Sequence, residues 1–458
     1  MNHFFRFLML AVGMVGCAFA AEPPLNVLFI VVDDLKTSLG CYGDEQVKSP
    51  NIDRLAAKGV RFDRAYCQYP VCNASRSSFL TGQRPDRTGI FSNGSILRHE
   101  KPDLVTLPQL FRQNGYFTAS IGKITHAGVN EAGKPVLFED PKAYSEFSNG
   151  KITKLGRTGE GRNLTGGELA WCEWLSANGT DDDQPDGQNA ATAIKIIEDH
   201  KDVPFFIGMG FHKPHDPFFA PKKYFDLYPL HGIQLANEPA DRSDELPLAI
   251  PRGEPFGKFT DRERKEFRRA YFAGISFTDA QIGKLLDTLD RLKLWDNTVV
   301  VLMGDHGYHL GEHGWWNKMT VFELCARTPL IVWAPRLKGM GKDAKGIVEF
   351  IDLYPTLTDL CGLSPAGPID GQSFRKLLDD PGLRGKSAAF TQVVRGKHMG
   401  RSIRGERWRY TEWADGESGV ELYDHNNDPL EYYNLATNPK YKDLMSSFSK
   451  QLRDIQAQ

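Results

Sequence analysis

The sequence predicts a doubly wound α/β sheet followed by a smaller β-rich subdomain. Three observations carry this. NVLFIVV at Asn26–Val32 and TVVVLM at residues 298–303 are unbroken apolar runs, the pattern of strands buried on both faces. Helical stretches alternate with such strands. From about residue 388 the character changes to short polar-aromatic segments.

The elements follow in chain order. Residues 51–59 and 104–114 read as helices. Residues 137–185, rich in Gly, Asn, Asp and Ser, read as long loops over one edge of the sheet, the kind of segment that shapes a substrate pocket. Residues 186–200 form a capped amphipathic helix, and residues 203–209 a short strand. A long helix runs over residues 261–292, and a further strand over residues 329–334. AAFTQVV, HMGRSIR, RWRYTEW and GVELYD then read as antiparallel strands closed by a C-terminal helix. The expected division is residues 1–20 as a leader, 21–385 as the main domain and 386–458 as the subdomain.

Composition sets limits on function. The chain has 458 residues, 41% apolar and 25% charged, which gives a sizeable core and excludes a largely disordered chain. Fifty-six basic and 58 acidic residues leave a net charge of -2, so no bulk basic field exists for nucleic acid or anionic membrane. Seven cysteines are too few for a disulfide scaffold at this length. No internal repeat or low-complexity tract is present.

The first residues read as an export signal. Arg6 lies in a short n-region, residues 7–15 are apolar, and Ala18-Phe19-Ala20 fits a small-x-small cleavage site. The apolar run is too short to span a bilayer. Met14-Val15-Gly16-Cys17 also resembles a lipobox, so a lipid anchor on Cys17 is an alternative. Either way, a periplasmic or secreted protein is expected. No later stretch reads as a transmembrane helix.

Chemistry-bearing residues cluster after strands. Asp33-Asp34 closes the first buried run, where open α/β sheets bind ligands. Adjacent strand side chains point to opposite faces, so the chain must bend there if both carboxylates are to hold one ion. Met303-Gly304-Asp305-His306-Gly307 closes the second run in the same way. Hard oxygen donors suit Ca²⁺ or Mg²⁺; a helix cap and a Gly-rich turn are the bland alternatives. Cys72 with Arg76 one turn later places a thiol in a positive environment, or else is an inert cysteine. Lys123 and His126 share a loop; His212, Lys213 and His215 follow a short strand; His309, His313 and Lys318 follow the second acidic strand end. Metal ligands, a nucleophile and cations together suit an oxyanion ester such as sulfate or phosphate.

These residues also carry a resemblance. Cys72-Asn73-Ala74-Ser75-Arg76, extended by Leu80-Thr81-Gly82, is similar to the sulfatase signature C-x-P/A-S-R. NVLFIVVDD, GYFTASIGKITH and ELYDHNNDPLEYYNLA resemble the family's opening metal strand, its G-K-x-x-H segment and its closing motif. FHKPHDPF and GDHGYHLGEHGWWNKMTVFE are most similar to the iduronate-2-sulfatase type, as is His306 after the acidic residue. The resemblance implies an alkaline-phosphatase-like sandwich with a large, mostly parallel sheet. It implies oxidation of Cys72 to formylglycine by a maturation enzyme, and Ca²⁺ held by Asp33, Asp34, Asp305 and His306, with modified Cys72 reaching the ion. Arg76, Lys123 and His126 would orient the formylglycine hydrate; His215 and Lys318 would bind the sulfate and leaving oxygen of a sulfated carbohydrate. Position 74 is Ala where proline is more usual, and Tyr308, His309 and Trp315 depart from the pocket-lining pattern. The competing readings are a phosphatase or phosphodiesterase of the same fold, for which His212, His309 and His313 hint at further metal, and a non-catalytic glycan-binding protein.

Overall fold

The computed structural model describes residues 23–126 and 140–456, with two short strand segments between them, Gly128–Val129 and Pro135–Val136. The leader expected over residues 1–20, with Cys17, lies outside the described residues.

The core is an eight-stranded sheet. Its strands are β1 (Asn26–Val32), β2 (Val60–Tyr66), β3 (Phe117–Gly122), β4 (Glu146–Ser148), β5 (Phe205–Phe211), β6 (Thr298–Gly304), β7 (Leu330–Trp333) and β8 (Lys342–Glu349). Their spatial order is β8-β2-β7-β6-β1-β5-β3-β4. β7 runs antiparallel to β6 and β2; the other pairs are parallel. The mostly parallel sheet expected from the sequence is therefore the one observed.

β1 lies near the middle, and every one of its residues is buried. Its side chains alternate between two cores. Leu28, Ile30 and Val32 pack in one with residues of α1 (Pro50–Lys58), α3 (Pro185–His200) and α4 (Asp261–Leu292). Val27, Phe29 and Val31 pack in the other with Phe79 of α2 (Cys72–Thr81) and with Leu107 and Phe111. Both faces being covered, the strand reads as continuous rather than alternating apolar sequence. α4 starts at a capping box in which Thr260 and Glu263 satisfy each other's amides.

Three readings change. Residues 137–185 are not all loop: they supply β4 at the sheet edge and the hairpin Gly159–Asn163 with Glu173–Ala177, joined by Phe218–Pro221 into a three-stranded sheet. Gly159–Asn163 (GEGRN) is largely exposed, so it has no apolar alternation to betray it. The strand expected at 203–209 is shifted to Phe205–Phe211, and the helix at 104–114 shortens to Leu107–Gln113.

The C-terminal region is a meander of β9 (Ala389–Arg395), β10 (His398–Arg404), β11 (Trp408–Trp413) and β12 (Val420–Asp424), antiparallel throughout. α5 (Lys442–Gln456) closes it by packing Phe448 and Leu452 against Ile403, Tyr410 and Leu422. Among the described residues no helix is long and apolar enough to cross a membrane, and the six cysteines are all unpaired thiols.

Candidate active site

The carboxyl ends of four parallel strands converge. β1 and β6 pair in register up to Val32 opposite Gly304, so Asp33-Asp34 and Asp305-His306 leave the sheet side by side. Asp34 adopts φ 60°, a left-handed turn that is uncommon outside glycine. This is the bend the adjacent carboxylates require. The Asp34 amide then donates to Asp305 Oδ1 at 3.0 Å. β3 ends at Gly122 and delivers Lys123. A Cβ on Gly210, at the neighbouring end of β5, would lie 2.1 Å from the Lys123 carbonyl, so glycine is what allows the Lys123 backbone to cross there. Beyond β5 the chain reaches His215. Cys72 is the first residue of α2, and all ten residues of that helix are buried.

The charges interlock. Arg76 donates to Asp305 Oδ2 at 3.0 Å and to Asp33 Oδ1 at 3.0 Å. Its third nitrogen reaches the carbonyls of Lys123 and Ile124. Lys123 Nζ meets Asp33 Oδ2 at 2.5 Å. Lys318 Nζ stands 2.6 Å from Asp34 Oδ1 and 3.1 Å from Cys72 Sγ. His306 Nε2 lies 3.4 Å from the same sulfur. His215 Nε2 faces Asp33 and Asp34 at 3.9 and 3.8 Å. Burial penalises the Asp33 carboxylate, but Lys123, His215, Arg76 and Lys318 overcome this and hold it well below its usual range. Burial and Asp33 push the Cys72 thiol up; Lys123, Lys318 and His306 outweigh them and pull it well below its usual value. Burial disfavours His215 protonation, while Asp34, Asp33 and Asp216 raise it to about 9.

The residues fit a hard cation. One ligand atom from each of Asp33, Asp34, Cys72 and His306 lies within 4.8 Å of the others. Asp34 Oδ2 is buried and accepts no hydrogen bond among the described residues; the His215 imidazole faces it at 3.8 Å, which leaves this oxygen open to a cation. Carboxylate oxygens of this kind suit Ca²⁺.

Most of the sequence-derived set is thus gathered: Asp33, Asp34, Cys72, Arg76, Lys123, His215, Asp305, His306 and Lys318. His126 lines a cavity of about 280 Å³ together with Asn73 and Arg76 of α2. His212, His309 and His313 have other work. His212 pairs with Asp186, His309 bridges Glu312 and Thr320, and His313 meets Glu245 and Leu430. Tyr308 and Trp315 are core residues rather than pocket lining. Tyr308 donates to the Trp316 carbonyl, and the Trp315 indole donates to the Lys318 carbonyl at 2.7 Å, bracing that loop. Two contributors escaped sequence reading. Ser75 Oγ donates to the Asp305 carbonyl at 2.5 Å, and Asp216 stands beside His215. Both sit inside motifs already singled out; Ser75 is the fixed Ser of the C-x-P/A-S-R pattern, yet the sequence assigns neither residue a role.

The C-terminal sheet reaches the site through the segment after Lys318. Arg395 of β9 donates to the Met319 carbonyl at 2.6 Å. Buried Arg404 and Arg409 grip Glu323 at 3.0 and 2.7 Å, and Glu431 accepts the Glu323 amide at 2.7 Å.

The chain matches the Sulfatase family model over residues 25–363 and the N-sulphoglucosamine sulphohydrolase C-terminal model over residues 311–458. It is 34% identical to iduronate 2-sulfatase of Homo sapiens, with 95% of each chain covered. It is 33% identical to a sulfatase of Formosa agariphila, covering 95% of this chain and 89% of that one. A phosphonate monoester hydrolase of Agrobacterium radiobacter shares the fold, with TM-score 0.80 at 22% identity over 94% of this chain and 95% of that one. The family match and these relatives support a sulfuric ester hydrolase. The chain belongs to the sulfatase family.

Proposed function

We propose that the protein is an exported glycan sulfatase of the iduronate-2-sulfatase type, cleaving a sulfate monoester on a sulfated uronic acid or a related sugar. The observation that carries this is Lys318 Nζ, set between Cys72 Sγ and Asp34 Oδ1, with His215 Nε2 on the same carboxylate pair. Export rests on the leader motif, and the substrate class on the K-P-H and D-H-G segments shared with that type.

Converted to formylglycine by a maturation enzyme and hydrated, residue 72 would supply one hydroxyl to attack sulfur, displacing the sugar oxygen, and a second whose deprotonation would expel sulfate and restore the aldehyde. Asp33, Asp34, Asp305 and His306 are the residues to hold Ca²⁺, which would supply positive charge against the sulfate oxygens. Arg76 and Lys123 fix the carboxylates in place. Lys318 neutralises charge on the sulfate as it transfers. His215 gives its proton to the sugar oxygen as the S–O bond breaks, a task suited to an imidazole, whose ordinary titration lies near neutral pH. His126, on the neighbouring cavity, is assigned to orienting the hydrate. The net reaction adds one water and releases sulfate and the sugar alcohol.

Peptide mass spectrometry across residues 67–84, paired with sulfate release from a panel of sulfated sugars, tests this. Formylglycine at position 72 and release from a 2-sulfated uronide are expected. Full activity with an intact thiol at position 72 overturns the mechanism.

A further inference from the structure

We propose that Lys213 is a positioning residue for His215, holding that imidazole at the angle from which it protonates the leaving group. The inference rests on the reading of His215 as general acid.

The loop from His212 to Pro217 contains two prolines, and proline has no amide to donate. The loop therefore borrows its restraints. Asp186, in the first turn of α3, accepts the amides of His212 at 3.0 Å and Lys213 at 2.8 Å. Thr278 of α4 donates to the Lys213 carbonyl at 2.9 Å. Together these anchor only the near end of the loop. The far end runs into the strand Phe218–Pro221, and between the two ends the His215 amide donates to the His212 carbonyl at 2.9 Å while the Lys213 side chain spans the turn. Its ammonium crosses back and donates to the carbonyls of His215 at 2.7 Å and Pro217 at 2.6 Å. These two carbonyls flank the Asp216 carbonyl, which lies 2.6 Å from His215 Nδ1. With Nδ1 engaged there, Nε2 is the nitrogen turned to Asp33 and Asp34. The orientation of the ring thus depends on a carbonyl between the two that Lys213 clamps. Lys213 itself makes no ion pair among the described residues, so its charge is directed at backbone oxygens and not at a carboxylate.

Leaving-group dependence separates positioning from general support. A sugar alcohol needs a proton to leave; 4-nitrophenolate does not. Lys213→Met should lower kcat on a 2-sulfated uronide disaccharide by about a hundredfold, the scale of general acid catalysis, and on 4-nitrophenyl sulfate by less than about fivefold. His215→Ala should show the same selectivity, more strongly. Lys213→Gln, whose shorter amide reaches one carbonyl, should fall between Lys213→Met and the unaltered enzyme and gives the same comparison if Lys213→Met does not fold. Equal loss on both substrates in the Lys213 variants, with His215→Ala still selective, overturns the proposal alone. Equal loss in His215→Ala overturns the general-acid reading and this proposal with it.

Discussion

The ammonium of Lys318 donates a 2.6 Å hydrogen bond to Asp34, a residue 284 positions away in the chain. This contact ties the loop after β6 to the end of β1. Lys318→Met keeps the volume and removes the charge. Turnover of a sulfated sugar is expected to fall by about 10²–10³-fold, the loss typical of one preorganised electrostatic group. Steady-state sulfate release measures it.

Arg76 is a structural cation as much as a functional one. It is buried between Asp33 and Asp305 at 3.0 and 2.9 Å. Removing one partner of a buried ion pair strands the other, at a cost of about 3–5 kcal/mol. Arg76→Met should therefore lower the urea midpoint markedly, measured in the presence of calcium, in addition to abolishing activity.

Chelation should act on fold and turnover together. The buried Asp34 Oδ2 accepts no hydrogen bond, and Asp33, Cys72 and His306 each bring a ligand atom close to an Asp34 oxygen. EGTA is expected to lower both Tm and sulfate release, with Ca²⁺ restoring both, and metal analysis should give one ion per chain. Two zinc-like ions per chain would instead favour phosphatase chemistry.

A pH effect is expected far from the strand ends. Glu421 is buried and accepts from the Trp413 indole at 2.9 Å and the Tyr423 hydroxyl at 2.8 Å. Burial raises its carboxyl from 4.5 to about 7, against the lowering effect of those two hydrogen bonds. Between these values the folded chain holds a proton that the unfolded chain has released. Stability is then lost as pH rises through this window, by up to about 3 kcal/mol. Glu421→Gln should flatten the Tm–pH curve between pH 4.5 and 7 and raise Tm at pH 8. An unchanged slope would remove Glu421 as its source.

Gly210→Ala should damage the site through the backbone. The added Cβ would fall 2.1 Å from the Lys123 carbonyl, and no side-chain rotation relieves a clash with main chain. Loss of activity with Lys123 itself unaltered is the expected outcome, read by sulfate release and near-UV circular dichroism.

Legibility in the sequence followed burial. β1 and β6 are covered on both faces and were plain as apolar runs; Asp33, Asp34, Asp305 and His306 followed from where those runs end. β2 (VRFDRAY) mixes charges with partly buried positions, and β8 (KDAKGIVE) begins exposed, so neither gives a clean period. Cys72, Arg76, Lys123, His215 and Lys318 were found through motifs rather than periodicity. The roles of Ser75 and Lys213 are not legible in the sequence, because each acts on a carbonyl, and a carbonyl has no residue type to recognise.

The distances in sequence have a consequence for folding. Asp34 meets Asp305 across 271 residues and Lys318 across 284, while Arg76 meets Lys123 across 47. Loop closure costs grow only slowly with length, so such contacts weigh little at equilibrium. Their effect is kinetic: high contact order delays the reward for ordering the chain until distant segments have met. β1 must wait for β6, and Lys318 for β6 and the C-terminal meander that grips the segment beyond it. The Asp33, Arg76 and Lys123 contacts close within the first 123 residues, whereas those of Asp305 and Lys318 wait for the chain beyond β6, so the site is completed late.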